Sequence, residues 1–481
     1  MFHNNSQDSA SLKTKIISTI GPASGSLPII TQMLEAGTDI VRLNFSHGSH
    51  QEHAAYLRAL WQATAQLGKP VAVMQDLPGP KNRTGKLKNG QVELKTGAEF
   101  ILTTQAILGD EHQVSVGLPS LAQDVASGDI VFLDDGAIKL EVIGTGRKDA
   151  RCKVVAGGML GEDKGITIPG VTLRTPSFTE QDKNHLLFGL RHKVDFVAVS
   201  FVREATDILK VRQFLYQRGA SIDLIAKIER QEAVDNINEI LEVADGIMVA
   251  RGDLGIELPI QKIPTIQKEI IRKCNRLGKP VIVATQMLES MVRVPFPTRA
   301  EATDVANAVI DGADAIMLSE ETAIGKYPVE TVKMMAKIAF EAEATLPYAQ
   351  ILLEKGEELK PETDEAISYA ACHIAQQLGA VAIVAFTSSG STAQRVAKNR
   401  PRVPTIAITP SSSVQRKLAL SWGVRAYQVP ETAIVTDQFT QGARIAKERG
   451  LAHSGDLVVI TGGVPLGVPG TTNLLKVEKV K

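Results

Sequence analysis

The stretch Ile222–Leu258 decides the fold, and it reads IDLIAKIERQEAVDNINEILEVADGIMVARGDLGIEL. Two short apolar runs, Asp223–Ile228 and Gly246–Ala250, are typical of buried parallel strands. The segment between them, Arg230–Val243, places apolar residues at helical spacing. The unit is therefore predicted to be strand–helix–strand, the repeating element of a parallel α/β architecture.

Polar side chains stand where each of these two strands ends. Lys227 and Glu229 close the first strand, and Arg251 and Asp253 follow the second. Ligands of parallel α/β proteins bind at this carboxyl end of the sheet. Two carboxylates and a cation on one rim suit a hard divalent metal and a phosphorylated substrate. A structural ion pair between two core strands is an equally good interpretation of the pairing alone.

The strand–helix alternation extends on both sides of this stretch, with helices first at Leu27–Ala36 and His50–Leu67. Three strands precede a change of pattern and five follow it, which makes eight, the count of a TIM barrel. The predicted strands are Ile16–Ile20, Asp39–Phe45, Val71–Asp76, Asp195–Phe201, Asp223–Ile228, Gly246–Ala250, Pro280–Thr285 and Ala315–Ser319.

Two further units complete the predicted organisation. Short alternating runs with Gly and Asp turns between Gly79 and Thr175 predict a small all-β domain that interrupts the barrel after its third strand. Beyond the polar stretch Glu354–Glu365 a separate α/β domain is predicted. We therefore predict a discontinuous barrel domain over 1–78 and 176–350, a β-barrel lid domain over 79–175, and a C-terminal α/β regulatory domain over 351–481.

The composition excludes several classes of protein. Lys plus Arg and Asp plus Glu number 53 each, so the net charge is zero and bulk charge does not favour nucleic acid or a membrane surface. The cysteines Cys152, Cys274 and Cys372 have neither zinc nor CxxC spacing, which is typical of a reducing compartment. The N-terminal MFHNNSQDSA lacks an apolar signal core, and no apolar run is long enough to span a bilayer. We expect a cytoplasmic protein with no nucleic-acid or membrane partner.

The remaining barrel strands also end in residues that can carry chemistry. Arg42, on the second strand, can clamp a phosphate, and Asn44 and Ser46 present oxygens beside it. Thr285 places a hydroxyl after the seventh strand, whereas Thr298 is predicted to begin a helix through a capping box. Any single one of these residues could be a polar cap, but six together on one rim indicate an active site. The six are Arg42, Asp76, Lys227, Glu229, Asp253 and Thr285.

Two motifs, AKIE at Ala226–Glu229 and MVARGDLG at Met248–Gly255, resemble the active-site signatures of pyruvate kinases. The resemblance runs from TKIISTIGP at Thr14–Pro22 to GTTN at Gly470–Asn473. It implies phosphoryl transfer from phosphoenolpyruvate to ADP, giving pyruvate and ATP in glycolysis, by a homotetramer. One departure is Glu320, where pyruvate kinases usually have glycine.

The resemblance also implies roles for the rim residues. Lys227, Thr285 and Arg42 would be catalytic: Lys227 would neutralise developing charge, Thr285 would help to deliver a proton, and Arg42 would grip phosphate. Glu229 and Asp253 would hold Mg²⁺ or Mn²⁺. The implied substrate-binding residues are Arg42, Ala250, Arg251, Gly252, Asp253, Thr285 and Ser319, and the implied nucleotide-binding residues are Asn44, His47, Arg83 and Lys164.

A monovalent-cation region is implied as well, but this sequence departs from it. The K⁺ ligands of the family correspond to Asn44, Ser46, Asp76 and the position of Leu77, where K⁺-requiring members have threonine. Those members have glutamate where this chain has Lys81, whose ammonium can replace the charge of the ion. We therefore predict that K⁺ is not required. Pro78 and Thr84 make this loop intermediate between those of K⁺-requiring and K⁺-independent members. Lys81 could also be a surface residue of the hinge without any such role.

A second anion site is predicted in the C-terminal domain. Hydroxyls and free amides converge where a predicted strand leads into a helix N-terminus, an arrangement that binds anions, although an ordinary serine-rich N-cap has the same pattern. The resemblance implies that an allosteric sugar phosphate or nucleotide monophosphate binds there. Gly463-Val464 replaces the Trp-Arg of members that bind fructose 1,6-bisphosphate in the animal manner. The predicted effector residues are Thr387, Ser388, Ser389, Gly390, Ser391 and Thr392.

Two alternative functions fit parts of this pattern. A Mg²⁺-dependent barrel lyase that generates a pyruvate enolate would share the metal carboxylates but would not need Lys164 or Arg83. A catalytically silent sugar-phosphate sensor would need only the C-terminal site, and the intact set of Lys227, Glu229 and Asp253 argues against it.

Overall fold

The computed structural model describes residues 12–80, 82–171, 174–430, 435–465, 468 and 470–481. Eight parallel strands close into a barrel in the order β1-β16-β15-β14-β13-β12-β3-β2. The predicted TIM barrel, interrupted after its third strand and followed by an α/β domain, is confirmed. The barrel strands are β1 Lys15–Thr19, β2 Ile40–Asn44, β3 Ala72–Leu77, β12 Phe196–Val199, β13 Asp223–Ile228, β14 Gly246–Ala250, β15 Val281–Ala284 and β16 Ala315–Leu318.

Helices on the outside of the barrel follow the strands. Three of them begin with the capping boxes Ser49/Glu52, Thr179/Asp182 and Thr298/Glu301, the last as the sequence predicted. The predicted single helix over 230–243 is wrong, because Asn236 leaves helical geometry and divides it in two. The helices are Leu27–Ala36, His50–Leu67, Glu180–His192, Ala205–Tyr216, Gln231–Asp235, Ile237–Val243, Arg251–Glu257, Ile263–Leu277, Arg299–Ile310, Glu320–Ala323 and Pro328–Ala344.

The insert between β3 and β12 is built from two small sheets around its own apolar core. A two-stranded sheet pairs β10 with β4, and a six-stranded sheet has the order β11-β7-β8-β9-β5-β6. Residues such as Phe100, Leu140 and Ile168 are fully buried in this core. The elements are β4 Gln91–Leu94, β5 Glu99–Thr103, β6 Gln113–Ser115, the short helix Leu121–Asp124, β7 Ile130–Leu133, β8 Ile138–Thr145, β9 Asp149–Ala156, β10 Gly158–Gly161 and β11 Ile166–Thr167.

The C-terminal domain is a five-stranded sheet in the order β19-β18-β17-β20-β21. Only β21 is antiparallel to its neighbour among these strands. The predicted boundary between 350 and 351 falls within the helix Tyr348–Glu357, so the domain limits stay a prediction. The elements are Tyr348–Glu357, Thr363–Leu378, β17 Ala382–Phe386, helix Ser391–Lys398, β18 Thr405–Thr409, helix Ser412–Lys417, β19 Val424–Gln428, helix Val435–Glu448, β20 Leu457–Gly463 and β21 Thr472–Lys479.

The C-terminal domain packs against the amino ends of the barrel strands, which we call the barrel floor. Leu420 joins the apolar cluster inside the barrel. Three ion pairs surround this contact: Arg416 Nε lies 2.9 Å from Asp195 Oδ1, Lys417 Nζ 2.6 Å from Asp223 Oδ1, and Arg400 Nη2 2.9 Å from Asp314 Oδ1. Burial raises the pKa of each aspartate, and the paired cation opposes that rise.

None of the helices in the described part of the chain is long and apolar enough to cross a membrane.

Candidate active site

Lys227 lies in a cage of oxygen atoms at the carboxyl end of β13. Its Nζ is 2.7 Å from Glu229 Oε1 and 3.2 Å from Asp76 Oδ1, and it donates a 2.6 Å hydrogen bond to Ser200 Oγ. Burial lowers the pKa of Lys227, but the charges of Asp76 and Glu229 outweigh burial and raise it above the ordinary value. The ammonium therefore stays charged although its side chain is only 11% exposed.

Asp76 joins this lysine to Arg42. Arg42 donates from Nε to Asp76 Oδ2 over 2.8 Å and from Nη1 to Thr19 Oγ1 over 2.9 Å. Burial alone would raise the pKa of Asp76, but the Lys227 and Arg42 cations together hold its pKa below the ordinary value. Two cations are thus fixed side by side on the rim, where they can face the negative charges of a phosphorylated substrate.

Glu229 and Asp253 form the second charged pair of the rim. Glu229 Oε2 accepts a 2.7 Å hydrogen bond from the amide of Phe201. Burial raises the pKa of Asp253 to about 7, and repulsion by Glu229 adds to the effect. Two buried, mutually repelling carboxylates are oxygen ligands suited to a hard divalent cation. No group of three or more His, Cys, Asp or Glu that could hold a metal occurs among the described residues. Mg²⁺ is commonly bound through one or two carboxylates together with substrate and water oxygens.

Thr285 occupies a strained turn directly after β15. Its φ is +70° and that of Gln286 is +53°, values that are unusual for residues other than glycine and most unusual for a β-branched one. The Thr285 hydroxyl accepts a 2.8 Å hydrogen bond from the amide of Gly252 and donates over 2.6 Å to the carbonyl of Ala284. Backbone strain of this kind is concentrated at functional sites, where the surrounding structure must hold it in place.

Comparison with known proteins identifies the family that shares this barrel and rim. A family model described as "Pyruvate kinase, barrel domain" matches residues 11–332, and one described as "Pyruvate kinase, alpha/beta domain" matches residues 365–478. The chain belongs to the pyruvate kinase family. It is accordingly a phosphotransferase, a kinase of glycolysis.

Individual pyruvate kinases are similar over nearly the whole chain. A pyruvate kinase of Geobacillus stearothermophilus is 48% identical over 471 residues, covering 97% of this chain and 80% of that protein. One of Clostridium acetobutylicum is 46% identical, covering 98% of this chain and 100% of that protein. The crystal structure of a pyruvate kinase from Cryptosporidium parvum matches with a TM-score of 0.93 at 36% identity, covering 99% of this chain and 97% of that one.

Arg251, which the pyruvate kinase resemblance assigns to substrate, is engaged with protein atoms. Its guanidinium donates to Asp304 Oδ1 over 2.7 Å, to the carbonyl of Thr285 over 2.7 Å and to that of Ala284 over 3.3 Å. The amide of Gly252 is likewise taken by the Thr285 hydroxyl. In this structure Arg251 therefore supports the strained turn, and Asp304 holds Arg251 in place.

The predicted residues Ser319 and Glu320 follow β16. The Oγ atom of Ser319 is buried and has no hydrogen-bond partner among the described residues, while its amide donates to Glu321 Oε2 over 2.7 Å. Glu320, which departs from the usual glycine of pyruvate kinases, begins the helix Glu320–Ala323 and is exposed. The extra carboxylate therefore lies on the surface and does not disturb the backbone of the helix.

The predicted monovalent-cation residues lie at the ends of β2 and β3, which are neighbours in the barrel. Asn44 and Asp76 are paired across the two strands, and Asn44 Oδ1 accepts a 3.0 Å hydrogen bond from the amide of Ser46. Leu77 is buried, and Lys81 lies outside the described residues. The carbonyl of His47, predicted to contact nucleotide, lies 2.9 Å from His53 Nε2.

The turn Asp134–Asp135 of the insert lies near the rim, and Lys164, one of the two predicted nucleotide-binding residues of the insert, is held beside it. The charge of Asp135, in the insert, is close enough to contribute to the raised pKa of Asp253. Arg83 donates to the carbonyl of Asp163 over 2.9 Å, and Lys164 Nζ lies 2.8 Å from Asp134 Oδ1. Both cations are therefore held by insert residues at the edge of the rim.

The predicted effector loop joins β17 to the helix Ser391–Lys398. Thr387 Oγ1 accepts a 2.8 Å hydrogen bond from the amide of Gly390, and the Ser389 hydroxyl, 3.1 Å from Ser391 Oγ, is exposed. Thr392 is different, because it is buried and its hydroxyl lies 2.7 Å from that of Thr472. Ser388 and Ser391 are half-buried. Ser389 is therefore the residue of this loop best placed to meet a ligand from solvent.

Three side chains of the site were not found from the sequence, and one of them is Thr19, which accepts from Arg42 Nη1. Ser200 accepts the hydrogen bond from Lys227, and Asp304 fixes Arg251. Ser200 follows a barrel strand, so the same rule that found the other rim residues could have found it. Asp304 lies in the helix Arg299–Ile310, whose composition gives no signal of such a contact.

Proposed function

We propose that this protein transfers the phosphoryl group of phosphoenolpyruvate to ADP, giving pyruvate and ATP. The observation that carries the proposal is the pair of cations Lys227 and Arg42, both anchored on Asp76 beside two metal-suited carboxylates. Phosphoryl transfer depends mainly on positioning and on neutralising charge, which this arrangement supplies without rearrangement.

Each rim residue has a part in this reaction. Bound at Glu229 and Asp253, Mg²⁺ or Mn²⁺ would neutralise the negative charge of the substrate oxygens. Lys227 faces the transferring phosphoryl group and the enolate oxygen, and it stabilises the charge that develops on both. Thr285 fixes the position from which a proton, carried by water, reaches C3 of the enolpyruvate. Because a threonine hydroxyl is a poor acid, we propose that Thr285 positions the proton donor and does not itself give up a proton.

An assay that couples pyruvate formation to a reporter enzyme tests the activity directly. We expect pyruvate only when phosphoenolpyruvate, ADP and Mg²⁺ are all present, with ATP formed in equal amount. Pyruvate without ADP would indicate a different reaction of the enolate, and no pyruvate under any condition would refute the proposal. The homotetramer that the resemblance implies and the cytoplasmic location expected from the composition stay predictions.

We further propose that the enzyme needs no monovalent cation. Two of the four implied K⁺ ligands already have protein partners. Asp76 contacts Arg42 and Lys227, and Asn44 Oδ1 accepts a hydrogen bond from the amide of Ser46. A third position is the apolar side chain of Leu77. Together with Lys81, whose ammonium can supply positive charge, these features favour independence from K⁺.

Turnover in tetramethylammonium buffer is therefore expected to stay flat when KCl is added at saturating substrates and Mg²⁺. The Lys81→Glu variant, which restores the glutamate of K⁺-requiring members, is expected to become K⁺-dependent. The measurement is the turnover number of both proteins with and without KCl. A rise of about tenfold in the unmodified enzyme, equal to about 1.4 kcal/mol of barrier, would refute the proposal.

We also propose that a phosphorylated effector binds the loop Thr387–Thr392. Ser389 is exposed there, and the helix Ser391–Lys398 begins directly beyond Gly390. Because Gly463-Val464 offers no cation to a second phosphate, a monophosphate is expected to fit better than fructose 1,6-bisphosphate.

Ser389→Asp is expected to abolish activation by glucose 6-phosphate, ribose 5-phosphate or AMP, because its carboxylate repels the effector phosphate. Thr392 is not suitable for this test, since a buried glutamate there would disturb packing. Ser413→Asp adds the same charge to an exposed serine in the helix Ser412–Lys417 and should leave activation intact. Titrating each effector against the three proteins is the measurement; equal activation of Ser389→Asp and wild type would place the effector elsewhere.

A further inference from the structure

Ser200 follows β12, the barrel strand that lies between the strands of Lys227 and Asp76. In the sheet order β13-β12-β3, Lys227 belongs to β13 and Asp76 to β3, so the lysine reaches across the end of β12 to contact that carboxylate. Ser200 is the first residue beyond β12, is 3% exposed, and its Oγ lies 2.6 Å from Lys227 Nζ. It therefore lies on the path of the Lys227 side chain.

The Ser200 hydroxyl makes a hydrogen bond on each side. Its oxygen accepts the 2.6 Å bond from Lys227 Nζ, and the hydroxyl donates to Asp76 Oδ1 over 3.4 Å. A serine hydroxyl has one donor and can accept at the same time, so these two bonds fix its rotation. Ser200 is thus a neutral bridge between the ammonium and the carboxylate that anchors it.

Ser200 supplies the neutral member of the three oxygen partners of Lys227. An ammonium carries three N–H donors, and Nζ has three oxygen neighbours, which belong to Glu229, Asp76 and Ser200. The two carboxylates attract the ammonium by charge, and this attraction depends on distance and not on direction. If the serine oxygen were removed, one N–H would lose its acceptor, and the ammonium could turn or shift toward either carboxylate. Ser200 is therefore the partner that fixes the direction of the ammonium.

The turn that carries Ser200 is itself held by several contacts. Phe201 has a φ of +55°, and its amide donates to Glu229 Oε2 over 2.7 Å. The Phe201 ring packs closely on Gly79, where a Cβ atom would lie 2.8 Å from the ring, and the Arg230 guanidinium lies 5.7 Å from the ring centroid. Residues that orient a catalytic group need a position that packing and hydrogen bonds have fixed. Ser200 meets this condition.

We propose that Ser200 is a positioning residue for phosphoryl transfer, which holds the Lys227 ammonium in the direction that stabilises the developing charge. This proposal rests on the function proposed above. Misplacing a reacting group by about 1 Å can cost about 100-fold in rate. An interaction that is made mainly in the transition state contributes to kcat and little to substrate binding. The loss of the Ser200 hydroxyl should therefore lower kcat and leave KM nearly unchanged.

Ser200→Ala is expected to lower kcat at least about tenfold, equal to about 1.4 kcal/mol of barrier, and to change KM for phosphoenolpyruvate by less than about twofold. Ser200→Cys keeps a side chain of similar shape but replaces the oxygen with a weak acceptor, so the same result is expected for it. The cysteine variant provides the test if the alanine variant does not fold. Steady-state kinetics at saturating Mg²⁺ and ADP give both constants.

Ser18→Ala is the matched control. Ser18 is a fully buried serine of the barrel strand β1, and its hydroxyl lies 2.8 Å from Thr38 Oγ1. Its neighbour Ile17 belongs to the apolar cluster inside the barrel, so Ser18 faces the surrounding helices. We expect Ser18→Ala to lose stability in denaturant unfolding and to keep its kcat. An equal fall of kcat in Ser18→Ala and Ser200→Ala would overturn the proposal.

A metal titration separates the positioning of Lys227 from a collapse of the turn. Phe201 holds Glu229 through its backbone amide, which Ser200→Ala leaves in place. The affinity for Mn²⁺ without substrates, measured by electron paramagnetic resonance, should therefore equal that of the wild type.

A lower kcat with unchanged Mn²⁺ affinity supports the proposal. A parallel loss of Mn²⁺ affinity would show that the turn has collapsed, and an unchanged kcat would show that Ser200 has no part in the reaction. Either of these two results overturns the proposal. Wild-type protein that forms no pyruvate would refute the proposed function, and this proposal with it, so the two failures are distinguishable.

Discussion

Lys227→Met is expected to lower the turnover number at least about 10³-fold, because the charge of Lys227 is needed mainly where charge develops in the transition state. The structure adds a consequence for stability. Lys227 Nζ contacts both Asp76 and Glu229, and breaking such a buried pair leaves carboxylates without compensation at a cost of about 3–5 kcal/mol. Steady-state kinetics and denaturant unfolding of the same preparation measure the two effects.

Lys15→Met is the matched control for this substitution. Lys15 is also a buried lysine of a barrel strand, but it lies at the floor, where its Nζ donates to the carbonyl of Val424 over 2.8 Å. We expect it to lose stability and to keep its turnover number. If folded Lys227→Met turned over at the wild-type rate, Lys227 would have no part in the reaction.

Asp253→Ala is expected to raise the Mg²⁺ concentration needed for half-maximal activity by at least about tenfold. Removing a residue that only supports a metal ligand already weakens metal binding by about this factor, so the loss of a ligand itself should cost at least as much. The same weakening is expected for Mn²⁺ bound without substrate, measured by electron paramagnetic resonance. The fold should tolerate the change, because Asp253 and Glu229 repel each other when no cation is bound.

Glu257→Gln serves as the control for the metal experiment. Glu257 is a buried carboxylate of the same helix, Arg251–Glu257, and pairs with Arg230 at 3.5 Å. Its loss is expected to affect stability but not the affinity for Mn²⁺. Equal Mn²⁺ affinity in Asp253→Ala and wild type would exclude Asp253 as a metal ligand.

Some elements of the barrel could be predicted from the sequence to the residue, whereas the limits of the other six barrel strands differ from the prediction by one or more residues. The strands Asp223–Ile228 and Gly246–Ala250 and the helices Leu27–Ala36 and His50–Leu67 have the predicted limits. Buried parallel strands are continuous apolar runs, and amphipathic helices repeat every 3.6 residues, so both leave a pattern in one sequence. The local sequence pattern was therefore sufficient to predict the limits of these four elements.

The functional ends of the strands could not be predicted in the same way. The strands predicted over Pro280–Thr285 and Asp195–Phe201 end earlier, at Ala284 and Val199. Thr285 and Phe201 have positive φ, which neither composition nor periodicity indicates for residues that favour extended backbone. The contacts that enforce these turns come from residues distant in sequence, such as Arg251 for Thr285 and Glu229 for Phe201.

The site residues follow the same division. The position of these residues on the rim was predictable, because the carboxyl ends of barrel strands lie together. The hydrogen-bond and ion-pair partners of each residue were not predictable. The sequence could not show that Asp76 is shared by Arg42 and Lys227, or that Arg251 is fixed by Asp304. Pairings of this kind depend on the register and twist of the closed sheet. The sequence of a single strand carries no information about either.

The ion pairs at the barrel floor constrain how domains of this family can be exchanged. Asp195, Asp223 and Asp314 belong to the barrel, but the cations that neutralise them belong to the C-terminal domain. A chimaera that grafts a foreign C-terminal half onto this barrel inherits three carboxylates, of which Asp195 and Asp314 are buried and Asp223 is half-buried, and must bring its own basic side chains to meet them. Recombination between relatives is therefore expected to succeed when these three acid–base partnerships are transferred as complete pairs.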